Sequence, residues 1–163
     1  MNKPQIITFK THLEEFYFLG IKNLITEDVN FGWLWNKFFD RGGFDKIEPY
    51  QKDSNCMNIW FNKCSEEKNY FQGKIVHEMT KIPEGYTLEK FPAGEYLVVT
   101  TEWLPSYEDT MQHINHDYHE NAQNPVGYKK RTENDDGITL IERWGEKTSE
   151  GYRYEFWVPL EKV

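Results

Sequence analysis

FYFLGIKNLITEDVNFGWLWNKFF, residues 16–39, is the stretch on which the fold class turns. Phe16 to Ile25 are dense in aromatic and branched side chains, the composition of a strand. After Thr26 come Glu27 and Asp28, acids favoured in a first helical turn, and then Phe31, Leu34, Trp35 and Phe38 at helical spacing. The spacing predicts a helix that begins at Thr26 and stops at Gly42 and Gly43. A shift of 80 residues brings the pattern back. YLVVTTEW (96–103) is the strand, and Ser106 stands where Thr26 stood, with Asp109 three residues on. Tyr107, Met111, Ile114 and Tyr118 make a second stripe that Asn124, Pro125 and Gly127 end, and Phe31, Leu34 and Phe38 fall on Met111, Ile114 and Tyr118.

Each helix leads through a polar loop (40–55 and 121–137) into two more strands. These are CMNIWFNK (56–63) and NYFQGKIVHEM (69–79), then ITLIERW (138–144) and YRYEFWVPL (152–160). The joint KIPEGYTLEKFPAGEY (81–96) is punctuated by Pro and Gly. The order strand, helix, strand, strand, twice over, predicts an α+β fold. It is a single domain, 1–163, made of two modules of about 1–80 and 81–163, related by a pseudo-twofold, with antiparallel sheets around a central cleft.

A chain of 163 residues with 6 Trp, 10 Tyr and 11 Phe is not a disordered one. It has more rings than a core of this size requires, which leaves some for a cavity or a partner. The net charge of −8 argues against direct DNA binding, and the one basic run, Lys129, Lys130 and Arg131, is followed by Glu133, Asp135 and Asp136. No apolar run approaches the ~20 residues of a membrane span. MNKPQIITFK lacks the apolar stretch and cleavage site of a signal peptide, so the expected location is the cytoplasm. Cys56 and Cys64 match neither a redox nor a zinc spacing and read as reduced structural thiols.

Chemistry concentrates in ITLIERW, where alternation puts Leu140, Glu142 and Trp144 on one face. On a solvent face Trp144 is exposed; in a closed core Glu142 is an unpaired buried charge. An aromatic cleft with one carboxylate inside resolves both, and it suits a flat, cationic or hydrogen-bond-donating ligand. The plainer alternative pairs Glu142 with a cross-strand Lys or Arg on a solvated face. Trp35, Trp60, Tyr70, Trp103 and Trp157 are candidate walls, each also at home in a core. Trp33 cannot share a face with Trp35 and is left for another surface. His113, His116 and His119, with Asp109, Asp117 and Glu120, sit on the second helix without a metal-binding pattern and read as a solvated face. Glu142 and Glu155 are a possible acid and base pair on successive strands, with no spacing that sets their separation. Nucleophile-elbow, phosphate-loop and dinucleotide motifs are absent, and no cofactor is expected.

The segments 69–99 and 140–163 resemble the GyrI-like effector-binding domain, also found behind the DNA-binding part of AraC-type and MerR-type multidrug regulators. The resemblance rests on Tyr70-x-x-Gly73, Phe91-Pro92-Ala93-Gly94-x-Tyr96, Glu142-x-Trp144 and Trp157-Val158-Pro159-Leu160. It implies two strand-helix-strand-strand modules around a ligand cleft, with a glutamate at the position of Glu142 on the floor of an aromatic pocket for lipophilic cations. Two departures stand out: no helix-turn-helix region precedes the domain, and Trp144 replaces the usual Tyr. Three functions follow as expectations. The first is a stand-alone module binding flat, hydrophobic, cationic molecules, with Glu142, Trp144, Trp35, Trp60, Tyr70 and Trp103 as its site. By resemblance, the second is a hydrolase of cyclopropane-bearing electrophiles using Glu142, with Glu155 or a tyrosine. The third is an acidic inhibitor of a nucleic-acid enzyme such as gyrase. Any role in transcription would need a DNA-binding regulator as partner.

Overall fold

The computed structural model describes residues 4–63, 67–113, 119, 121–132 and 137–163, with side chains for all of these except 111–113. The stretch 16–39 becomes strand β2 (Phe16–Leu24) and helix α1 (Phe31–Asp40). The helix starts later than its sequence suggests. Thr26 opens a turn, its carbonyl accepting the Val29 N–H at 3.3 Å, and Asn30 is the cap, in extended backbone, with Oδ1 accepting the Trp33 N–H at 2.9 Å. At the other end Gly42 and Gly43 have φ of +121° and +56°, and the Gly43 N–H closes onto the Phe38 carbonyl at 3.0 Å. Helix α2 (Tyr107–His113) does begin at the expected cap: Ser106 Oγ accepts the Asp109 N–H at 3.1 Å and donates to its carboxylate at 2.9 Å.

The expected strands are present as β3 (Cys56–Asn62), β4 (Lys68–Val76), β6 (Gly94–Thr101), β8 (Gly137–Trp144) and β9 (Tyr154–Lys162). Three more were not foreseen: β1 (Ile6–Leu13), β5 (Thr87–Phe91) and the short β7 (Tyr128–Lys130). All the described strands join one antiparallel sheet in the order β1-β6-β9-β8-β3-β4-β2-β5, with β7 beside β9. The two halves therefore abut edge to edge through β3 and β8. Outward from that pair the order β4, β2, β5 mirrors β9, β6, β1. The outermost strands are exchanged, since β1 pairs with β6 of the second half and β5 with β2 of the first.

One face of the sheet is filled by a core drawn from both halves, including Phe18, Ile59, Phe71, Val98 and Ile141, all with no exposed surface. Apolar side chains fill this face because each inward residue removed from water adds about 1.5–3 kcal/mol. On the opposite face α1 covers Leu19, Ile21 and Val76 through Phe38, while Leu97, Val99, Val158 and Leu160 form a separate cluster. Between these two patches runs the strip of β3 and β8 that carries Asn58, Trp60, Leu140, Glu142 and Trp144.

The Tyr70-x-x-Gly73 motif has a backbone reason. Gly73 faces Gly20 across β2 and β4, and a Cβ on Gly73 would lie 2.0 Å from the Leu19 carbonyl oxygen. Only a pair of glycines allows the two strands to approach this closely.

Candidate functional site

Antiparallel pairing sets Glu142 directly opposite Asn58 on β3 and opposite Phe156 on β9, all on the helix-bearing face. Its carboxylate is nine-tenths buried. Oε2 accepts hydrogen bonds from Trp60 Nε1 at 3.1 Å and from Asn58 Nδ2 at 3.4 Å. Two donors to a charged acceptor contribute about 1.5–3 kcal/mol each. Removing a carboxylate from water costs several kcal/mol in the protein interior, which these bonds and one from the Tyr154 hydroxyl offset without supplying a counter-charge.

Rings surround the carboxylate in a cavity of about 230 Å³. Trp60 packs on Tyr70 with ring centres 4.8 Å apart, and Phe31 of α1 sets its edge on both, at 5.6 and 5.3 Å. Trp144 stacks on Tyr154 at 5.5 Å and 9° between planes, and Trp35 of α1 meets Trp144 at 5.8 Å. Tyr107 of α2 and Phe31 are the most exposed walls, at 40% and 39%. Burial pushes the hydroxyls of Tyr70 and Tyr154 far above the usual phenol range, and the negative charge of Glu142 pushes them further. Tyr107 moves the same way, first by burial and then by its neighbours Cys56 and Glu142. All three phenols stay neutral at neutral pH. Among the described lining residues Glu142 is thus the one formal charge.

The structure brings together five residues singled out from the sequence: Glu142, Trp144, Trp35, Trp60 and Tyr70. Trp103 is elsewhere, with the Arg153 guanidinium 4.6 Å from its ring centre, in a polar cleft beside Thr148 and Glu155. Trp103 lies just past the end of β6, on the far side of β9 from Glu142, so it cannot line this cavity. Trp33 is the odd ring out, 58% exposed with the Lys37 ammonium 4.8 Å above it. Trp157, on the opposite face from Glu142, belongs to the core.

Glu155 is not a partner for Glu142. It pairs with Arg143 across β8 and β9 and so faces the other side of the sheet. There it contacts the Arg143 guanidinium at 3.6 Å and Arg153 at 2.8 Å, and it accepts from Trp157 Nε1 at 3.1 Å. Period-2 alternation makes this unavoidable, because Glu142 and Glu155 are in adjacent, not opposed, register.

Phe31, Asn58, Tyr107 and Tyr154 also line the cavity and were not anticipated as site residues. Phe31 reads as part of the stripe covering its own sheet. Asn58 was findable in principle, as the polar residue two before Trp60 on an otherwise apolar strand. Of the histidine cluster, His116, Asp117, Glu120 and the His113 side chain lie outside the described residues; His119 rests on Phe156 with ring centres 4.9 Å apart. Cys64 also lies outside, whereas Cys56 is a free thiol that burial pushes up to about 11. Among the described residues no helix is long and apolar enough to cross a membrane.

Residues 11–160 match the family model Cass2, described as an integron-associated effector binding protein. The chain belongs to this family. Solved structures share its fold. SAV2435 bound to tetraphenylphosphonium superposes with a TM-score of 0.69 at 13% identity, over 95% of this chain and 94% of that one. A putative transcription regulation protein from Staphylococcus aureus MU50 gives 0.66 at 14% identity, over 95% and 98%. An integron cassette protein from the mobile metagenome of Vibrio cholerae gives 0.58 at 12%, over 94% and 95%. No curated protein sequence matches the chain. This Cass2-family chain therefore carries an effector-binding fold, of the kind also present in the C-terminal domain of EcmrR, with a TM-score of 0.53 over 97% of this chain and 99% of that one.

Proposed function

We propose that the protein binds small, flat, hydrophobic cations in the aromatic cavity, with Glu142 as counter-charge and Trp144, Trp35, Trp60 and Tyr70 as walls. One observation carries this reading: the carboxylate of Glu142, a residue nine-tenths buried, accepts only neutral donors and has no cationic side chain among the described residues that line its ring-walled cavity. A bound cation supplies the missing compensation, by charge pairing and by contact with ring faces at about 0.5–2 kcal/mol per ring. The cavity of about 230 Å³ is below the roughly 300–1,000 Å³ of drug-sized sites, which favours a ligand of a few fused rings. That SAV2435 takes tetraphenylphosphonium agrees with a cationic ligand. The mirrored strand order supports two repeats within one domain, with the cavity at their junction. In a cell the binding would serve a regulator or a sequestering role, in the cytoplasm and with a DNA-binding partner if transcription is the output.

Titration of tryptophan fluorescence with a cationic acridine dye tests this. Saturable quenching is expected, at least tenfold weaker in Glu142→Gln; equal affinity in that variant would remove Glu142 from the site.

A further inference from the structure

Resting on the reading of the cavity as a cation site, we infer that its preferred ligands are cations bearing N–H donors, such as protonated aminoheterocycles or amidines, rather than quaternary ions. The side-chain amide of Asn58 is one rigid unit, and the carboxylate of Glu142 dictates which end faces it: Nδ2 donates to Oε2 at 3.4 Å. Oδ1 is thereby committed to the other direction. It is buried, on a residue only 3% exposed, and accepts no hydrogen bond from the described residues. An orphaned buried acceptor is rare and costly in a folded protein.

The carboxylate is similarly uneven. Trp60 Nε1 and Asn58 Nδ2 both go to Oε2 and the Tyr154 hydroxyl also donates to the carboxylate, which takes three of its roughly four acceptor positions and leaves one for a ligand. The cavity is thus lined by two residues with acceptor capacity unused, the Glu142 carboxylate and the Asn58 amide with its unpaired Oδ1. The protein's own N–H donors there are already spent on Oε2. A quaternary cation satisfies the charge and donates no hydrogen bond to either acceptor. A cation with two N–H bonds satisfies charge and acceptors together, and a charge-assisted hydrogen bond in a water-poor site is stronger than a bare ion contact. Asn58 is then a specificity-determining residue.

The experiment uses two flat tricyclic cations of nearly equal size, protonated 9-aminoacridine, which carries N–H donors, and 10-methylacridinium, which carries none. Affinities for the wild-type protein are measured by calorimetry at pH 7. The amino compound is expected to bind at least about tenfold more tightly, the yield of one additional charge-assisted bond. In Asn58→Leu, which keeps the volume and removes the Oδ1 acceptor together with the Nδ2 donor shared by both dyes' sites, that ratio is expected to shrink at least threefold. Equal affinities of the two dyes for the wild type, with Glu142→Gln weakening both, would overturn the donor preference and leave the cation site standing. Binding of neither dye would overturn both. The wild-type comparison needs no variant, so it decides the matter even if Asn58→Leu does not fold.

Discussion

Replacing Trp60 by Phe keeps a ring against Tyr70 and Phe31 and removes one atom group of consequence, the Nε1–H that donates to Glu142 at 3.1 Å. The acceptor is the carboxylate of a residue nine-tenths buried, so the loss is that of a hydrogen bond to a charged-type acceptor, about 2 kcal/mol. In a chain of 163 residues this lowers the melting temperature by about 4–8 °C. The smaller ring also forfeits packing, and a double-mutant cycle with Glu142→Ala separates the two effects. In that background the acceptor is gone and only the packing cost remains. Urea unfolding followed by far-ultraviolet circular dichroism gives the four stabilities without relying on tryptophan emission. The expected coupling energy is about 1.5–3 kcal/mol. A coupling below about 0.5 kcal/mol, the level at which independent sites already add, would refute the claim that Trp60 holds the carboxylate.

Gly73→Ala would force a methyl against the Leu19 carbonyl, and we expect a loss of about 3 kcal/mol or more, read as a fall in melting temperature and soluble yield. Glu155→Gln is expected to weaken its contacts with Arg143 and Arg153 yet leave dye affinity within twofold, because it faces the other side of the sheet; a tenfold loss of binding would contradict that geometry. In a Cys64→Ser background, native Cys56 should react with a thiol reagent far more slowly at pH 8 than the unfolded chain does, its thiol being pushed up to about 11. The sign follows from the raised value: the stability this thiol contributes is full below about pH 9 and is lost as pH rises through about 11, so unfolding stability should fall across that window.

Local pattern made much of this legible. Helical spacing in Phe31, Leu34, Trp35 and Phe38 and alternation in ITLIERW depend only on a residue's near neighbours, and they placed α1, the central strands and the face of Glu142. The edge strands were less visible. β1 is exposed along most of its length, so burial imprints no alternation on Ile6 to Leu13, and its pairing with β6 joins residues some 90 positions apart. The start of α1 was misread because Thr26 and Asn30 are both capping residues, and only the turn at Val29 chooses between them.

The sequence by itself determined the antiparallel α+β class, the repeated order of elements, and the placing of Glu142 with Leu140 and Trp144 on one strand face. Tertiary structure decided the company Glu142 keeps. Strand register set Asn58 and Trp60 against its carboxylate and turned Glu155 away, the packing of α1 brought Phe31 and Trp35 over the site, and strand order left Trp103 on the far side of β9. The reason is physical. A strand's own residues specify which side chains share a face, but which strand lies alongside is settled by summed burial and pairing across the whole sheet, a choice that no local stretch contains.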